Sequence, residues 1–327
     1  MAMDVPDLFE TLIAHYLAWP EADEDAYLSA ANGLTSYADL TLDDTWAAHK
    51  HIERLLSSGS GEAMDALGQH WVKVKDQHAA AVTAAAQQAA TAAAEIAADV
   101  AAAKGSVIRI AAHLAEVTVA AAAAGVVTFG ASAAVVATAT SQAQAQSKAV
   151  FSQCLNSTVR TLARLRKDPS VASLESVAAD LAAGVGGQAI GAAGGAAGGV
   201  ADGSDTGRGW GRGLPSDTGR AIGKGVHVDH EEHRLAAGKL REVATTILGT
   251  TAGALSQAVA HHATAATGSL GSVLAPELDS VLDHLSRANT AYGDHLNGPL
   301  PDAVLLISTS QQSTDDDNKQ RMSQLDR

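Results

Sequence analysis

No proline interrupts the chain between Pro20 and Pro169. A proline inside a helix costs about 3 kcal/mol, so a gap of that length, filled largely with alanine, favours long helices. Apolar residues make up 46% of the sequence but aromatics only 3%, and alanine carries much of the difference. Each alanine buries little area. Stability must therefore come from many close helix–helix contacts rather than from a few large anchors. The sequence predicts an all-α fold: an elongated helical hairpin or bundle of long alanine-rich helices, a Gly-rich linker, and further C-terminal helices.

Apolar periodicity fills in the elements. Leu8, Phe9, Leu12, Ile13, Tyr16 and Leu17 share one face of a short helix, which Trp19-Pro20 ends. Glu21, Asp23, Glu24 and Asp25 then place negative charge at the start of the next helix, where the helix dipole favours it. That helix carries Tyr27, Leu28, Leu34, Tyr37, Trp46, Ile52, Leu55 and Leu56, with an irregularity expected near Asp43-Asp44. Ser57-Ser58-Gly59-Ser60-Gly61 is a turn signal. Beyond it Met64, Leu67, Trp71, Val74, His78, Ala81 and Ala85 recur at steps of three and four, the period of a coiled-coil seam. Two antiparallel helices around a short turn make a helical hairpin. The residues Met64, Leu67, Trp71, Val74 and His78 are read as a seam exposed for a partner.

The stripe continues through Ile96 and Val100, with a kink expected at Lys104-Gly105-Ser106, and resumes at Val107, Ile110, Leu114 and Val117. No charged residue lies between Glu116 and Lys148. That length suffices for a membrane span. Alanine, threonine, serine and glutamine dominate over leucine and isoleucine, however, so a buried central helix of a water-soluble bundle is expected. Val150, Phe151, Leu155, Val159, Leu162 and Leu165 close this half, and Arg164, Arg166 and Lys167 complement the last-turn dipole. The chain then divides as follows: 1–167, a long helical hairpin bundle; 168–226, a short helix from Val171 to about Leu181 plus a Gly/Ala-rich linker; 227–310, a C-terminal helical region with helices from Asp229 to Val259 and from Pro276 to Leu296; and 311–327, a polar tail expected to be disordered. The linker assignment rests on the 16 of 30 glycines that fall between Gly184 and Gly225.

The net charge of −14 disfavours nucleic acid and anionic membrane surfaces, because phosphate binding needs concentrated Lys and Arg. Cys154 is the sole cysteine, so an internal disulfide is impossible, and its helical neighbours read it as a small buried hydrophobe. The first residues have neither the basic start nor the apolar core of a signal peptide. A cytoplasmic location, or secretion without a cleavable signal peptide, is expected.

The strongest cluster of chemistry-bearing side chains is His227-Val228-Asp229-His230-Glu231-Glu232-His233. Its residue types suit zinc, but two helical histidines four apart around a Glu are missing, and the acidic residues fit the first turn of a helix. Capping is the expected role. Gly184, Gly186 and Gly191 are spaced as in a phosphate loop, but no strand precedes them and no Gly-Lys-Ser/Thr follows. No serine stands in Gly-x-Ser-x-Gly. No catalytic, cofactor-binding or metal-ligating residue is expected, and the chain is read as not an enzyme.

Helix, glycine turn, Gly-Glu-Ala-Met-Asp-Ala-Leu-Gly-Gln-His-Trp, helix resembles the WXG-type hairpins of type VII secretion. It is most similar to the N-terminal trafficking domains of actinobacterial polymorphic toxins, those of the mycobacterial outer-membrane channel and necrosis toxin among them. Trp19-Pro20-Glu21-Ala22-Asp23-Glu24-Asp25-Ala26 stands where that family has Trp-Pro-x-Gly-Asp-x-Asp-Ala, so Trp19, Pro20, Asp23 and Asp25 are motif positions. Gly59-Ser60-Gly61-Glu62-Ala63 occupies the family's Trp-x-Gly turn, with Gly59 in place of the tryptophan and Gly61 on the glycine. Trp71 matches the aromatic that follows, and Leu300–Val304 resembles a terminal Leu-Pro-x-Ala-Val. The family's export signal, Tyr followed four residues on by Asp or Glu, is absent after Tyr16, Tyr27, Tyr37 and Tyr292, and no compact toxin domain is expected within residues 1–327. The resemblance implies a non-enzymatic trafficking or adaptor module that pairs with another helical hairpin protein, which would supply the missing signal. Two alternatives stand beside it: an intracellular structural protein that self-associates, and a membrane-inserting or pore-forming protein built on the charge-free 117–147 stretch.

Overall fold

The computed structural model describes residues 13, 16–125, 131–184 and 228–325. Every regular element among them is helical: α1 (Glu24–Ser58), α2 (Glu62–Lys73), a π turn (Val74–Ala79), α3 (Ala80–Gly125), α4 (Ala131–Lys167), α5 (Pro169–Ala182), α6 (His230–Thr246), a second π turn (Ile247–Thr251), α7 (Ala252–Ala265), α8 (Gly268–Asn297) and α9 (Pro299–Leu325). The protein is an all-α helical bundle. The start of the N-terminal helix (Leu8, Phe9, Leu12), the glycine tract from 185, and His227 lie outside the described residues.

Capping explains several boundaries. Asp23 Oδ1 accepts from the Ala26 amide at 3.0 Å, opening α1. Gly61 has φ 128, a backbone region that glycine enters freely, and releases the chain from the turn into α2. Asp229 accepts from the amides of Glu231 and Glu232 at 3.0 and 3.1 Å and caps α6.

Three expectations fail locally. α1 runs unbroken through Asp43-Asp44, and α3 runs straight through Lys104-Gly105-Ser106, because its stripe Ile96, Val100, Ala103, Val107, Ala111 and Leu114 stays buried on both sides of the glycine. α8 begins at Gly268 rather than at Pro276, which lies within the helix. The earlier start has a visible cap: the Glu21 carbonyl accepts from the Leu270 and Gly271 amides at 3.2 and 3.3 Å, and Glu21 Oε2 from Ser269 at 3.2 Å. Gly268 itself has φ +83, and a Cβ there would sit 2.5 Å from the Glu21 oxygen.

The tail assigned to disorder is also helical. Residues 311–325 continue α9 with Gln311 half-buried and the other described side chains exposed. No core holds them, as their composition implied, but local pairs such as Gln311–Asp315 at 3.2 Å and Thr314 to the Ser310 carbonyl at 3.0 Å follow the helical repeat.

The helices form two compact units, neither a single stretch of chain. They cut across the sequence-based boundaries. The first comprises 1–36, 85–172 and 254–283. Its buried residues include Tyr27, Leu34, Ala86, Ala89, Ala93, Ile96, Leu165, Leu270 and Leu274, with a cluster of Ile13, Leu17, Val107, Ala111, Leu114 and Ala143. The second comprises 37–84, 173–253 and 284–327, with Tyr37, Ile52, Leu55, Leu67, Trp71, Leu181, Leu240 and Tyr292 buried. Within it α1 and α2 form the expected antiparallel hairpin: Trp71 meets His49, and Gly68 faces Leu56. Asp44 accepts from Thr251 Oγ1 at 2.6 Å, and Thr45 hydrogen-bonds the buried Tyr292 hydroxyl at 3.0 Å.

Candidate functional site

The seam residues share one face and that face is not free. Met64, Leu67, Trp71, Val74 and His78 are all at most 5% exposed, inside the second unit. The expectation of a seam open to a partner is thereby corrected: the three-and-four spacing serves the protein's own core, and periodicity does not distinguish an internal partner from an external one. The Trp71 indole N–H donates to His49 Nδ1 at 3.1 Å, which satisfies its polar atom in the core.

The motif positions around Trp19 are architectural. Pro20 is buried, Asp23 caps α1, and the Glu21 backbone caps α8. Beside them lies a buried ion pair, Lys104 Nζ to Glu24 Oε2 at 2.6 Å, with the ammonium 5.7 Å from the centre of the Trp19 ring. Both charges are under 10% exposed, so the pair holds α1 to α3 while the indole face covers the cation. Gly61, at φ 128, shapes the turn, and Gly59 stands between the two helices.

Sequence reasoning missed a histidine cluster in the second unit. His70 on α2 and His295 near the end of α8 face each other with their Nε2 atoms 3.0 Å apart. His295 Nδ1 lies 3.3 Å from the Leu181 carbonyl at the end of α5. His78 Nε2 lies 3.4 Å from Asp180 Oδ2, which also accepts from Lys73 Nζ at 2.9 Å. Burial holds the His70 and His295 pKa values down at about 4, helped at His70 by His78 and Lys73 and at His295 by the other two histidines. Only His78 was legible, as a seam position. The others stand far apart in sequence and on no shared motif. His295 also lines a cleft of about 500 Å³ with Leu181, Arg287, Thr290, Asp294 and Pro299.

Elsewhere, His230 and His233 do not converge. His230 Nδ1 pairs with Ser308 Oγ at 2.7 Å, and His233 Nδ1 donates to the Asp229 carbonyl at 2.8 Å. Among the described residues no group of three or more His, Cys, Asp or Glu is placed to hold a metal. Cys154 is buried, and burial raises its thiol to about 11, far from a reactive thiolate.

The charge-free region departs most from expectation. Among its described side chains, at 117–123 and 133–147, only Ala121, Ala143 and Ser147 are buried. Val119 is 70% exposed and Val135 53%. The buried central helix is therefore corrected: these parts of α3 and α4 present small apolar side chains outward. Their hydroxyls turn back onto their own helix, Thr118 to Leu114, Thr138 to Ala134 and Thr140 to Val136, at 2.8 to 2.9 Å. By length and composition the helical stretches Glu62–Ala123 and His230–Ala265 are apolar enough to cross a membrane, and only 22% and 33% of their apolar windows is buried. On α1 of the second unit, Leu42 and Trp46 are also exposed, and Lys75 sits 5.9 Å over the Trp46 ring. Leu28 and Trp46, expected on the apolar face, thus stand outside it.

Comparison with protein-family models, curated proteins and solved structures finds no match.

Proposed function

We propose that the protein is a non-enzymatic helical trafficking or adaptor module of a type VII-like secretion or polymorphic toxin system, docking another helical hairpin protein. One observation carries this reading: the charge-free stretches 117–123 of α3 and 133–147 of α4 leave most of their described side chains exposed, Val119 and Val135 among them. Soluble proteins expose large continuous apolar surface mainly where something covers it. Small side chains there let a partner helix approach closely, as ridge-into-groove packing requires. The helix–glycine turn–helix of α1 and α2 is consistent with the hairpin that the resemblance implies.

The test is co-expression in the native host with each small helical-hairpin protein found encoded nearby, followed by fractionation into cells and medium. Co-purification with one of them and joint appearance in the medium are expected. Retention in the cells as a free protein in every pairing would sink the proposal.

The same surface supports a second reading, membrane insertion, because the hydroxyls of Thr118, Thr138 and Thr140 bond to their own helix rather than facing lipid unsatisfied. Flotation with neutral liposomes separates the two: the docking module stays at the bottom of the gradient, and an inserting protein rises.

A further inference from the structure

In the second unit, the histidine cluster joins three helices, and the bond between His70 and His295 requires that one facing nitrogen stay unprotonated. His295 is 1% exposed and donates its Nδ1–H to the Leu181 carbonyl, so its Nε2 is a bare acceptor. His70 Nε2, 3.0 Å away, must then carry the proton and donate. The result is a directed chain from α2 through α8 to the last turn of α5. His78, 5% exposed, points Nε2 at Asp180, and its Nδ1 is buried without a partner.

Protons added to this arrangement have few acceptable places. The first goes to His70 Nδ1 and leaves the chain intact. A second on the pair must go to His295 Nε2, which sets two N–H groups against each other across the 3.0 Å gap. A proton on His78 Nδ1 creates a buried donor with no acceptor. The surrounding charges do not absorb these cations: Lys73 from α2 adds another, Asp180 from α5 is already bound to Lys73, and the cleft wall beside His295 offers Arg287 and Asp294 together. No charged side chain of α9 lines that wall, where Pro299 stands.

We propose that the His70–His295–His78 cluster is an acid-released latch: it ties α2 to α5 and α8 at neutral pH and lets them part on acidification, widening the cleft beside His295. The sign follows from the depressed values. An imidazole free in solution titrates at 6.5, whereas in the closed latch His70 and His295 titrate at about 4, so the open form binds more protons between those limits. The latch holds in full above pH 6.5 and is lost as the pH falls through about 4. Acid-responsive interfaces built on buried histidines follow the same logic.

Hydrogen–deuterium exchange of the full chain at stepped pH tests this. Peptides covering α2, α5 and the 284–297 part of α8 should gain exchange together below about pH 5, while peptides from 85–103 stay protected. Glutamine keeps an amide where Nε2 stood and does not titrate, so the double variant His70→Gln, His78→Gln should open at least about one pH unit lower. An unchanged midpoint in that variant, or simultaneous opening of all segments, overturns the latch. A histidine titration of the wild type by NMR needs no variant: His70 and His295 must titrate well below the 6.5 of a free imidazole, and titration near 6.5 overturns the proposal equally.

Discussion

At the scale of single residues, two buried polar arrangements support most of the checkable energetics. Trp71 fills the second unit with its indole N–H bonded to His49. Trp71→Ala should destabilise by about 3–5 kcal/mol, as for other large-to-small core changes, and urea unfolding followed by far-UV circular dichroism reads it. An unchanged midpoint would mean that the indole contributes no packing. Lys104 and Glu24 make the second case. Removing the ammonium takes from the buried Glu24 carboxylate the cation 2.6 Å away, so Lys104→Met alone should cost about 3–5 kcal/mol, whereas Lys104→Met with Glu24→Leu should recover most of it. Thermal melts of the three variants complete the cycle, and equal losses in single and double variants would contradict the pairing. Glu24 was legible in the sequence only as a first-turn acid. Its partner was not, since the two stand 80 positions apart and nothing local marks Lys104 as buried. The same holds for His70 and His295, separated by 225 positions.

At the scale of helices, local pattern told most of the story, because capping and apolar spacing act over a few residues. Asp23, Gly61 and Asp229 mark three boundaries that the structure places where the sequence put them. The α3 stripe survives a glycine that suggested a kink. What pattern could not supply is the identity of the surface that each stripe meets. Met64–His78 and Val117–Ser147 were assigned opposite environments, and the structure exchanges them: the first is core and the second is largely exposed. Periodicity reports a face, not its partner. Exposure makes a clean test possible at Ala134. Ala134→Asp should cost about 0.7 kcal/mol or less, the helix-propensity difference alone, so its melt should nearly match the wild type. The same change should abolish co-elution with a docked hairpin partner, since an added carboxylate would be desolvated at the contact. A large drop in melting temperature would show that this face is packed instead.

At the scale of the whole molecule, neither unit is continuous in sequence: each is assembled from a segment near the start, one from the middle and one from beyond residue 253. The glycine tract between Gly203 and Gly225 is the expected site of first cleavage by a dilute protease, on composition alone. Because each unit draws on chain from both sides of that tract, the nicked protein should run as two bands on a denaturing gel yet elute as one species in native buffer. Separate elution would mean that the segments hold together only through the intact chain. The division at 167 and 226 followed prolines and glycines, which report where helices stop; which helices share a core is decided by long-range packing that composition does not record. That discontinuity also governs how the protein comes into being. While the ribosome is still translating, α1, α3 and α4 emerge with their apolar stripes facing water, since the first unit still lacks residues 254–283 and the second lacks Tyr292. Contacts between residues so far apart in sequence slow folding and prolong the exposure of sticky intermediates. Newly made chains should therefore remain open and chaperone-dependent until synthesis has passed α8, a window in which an unfolded-chain-handling machine finds them unclosed.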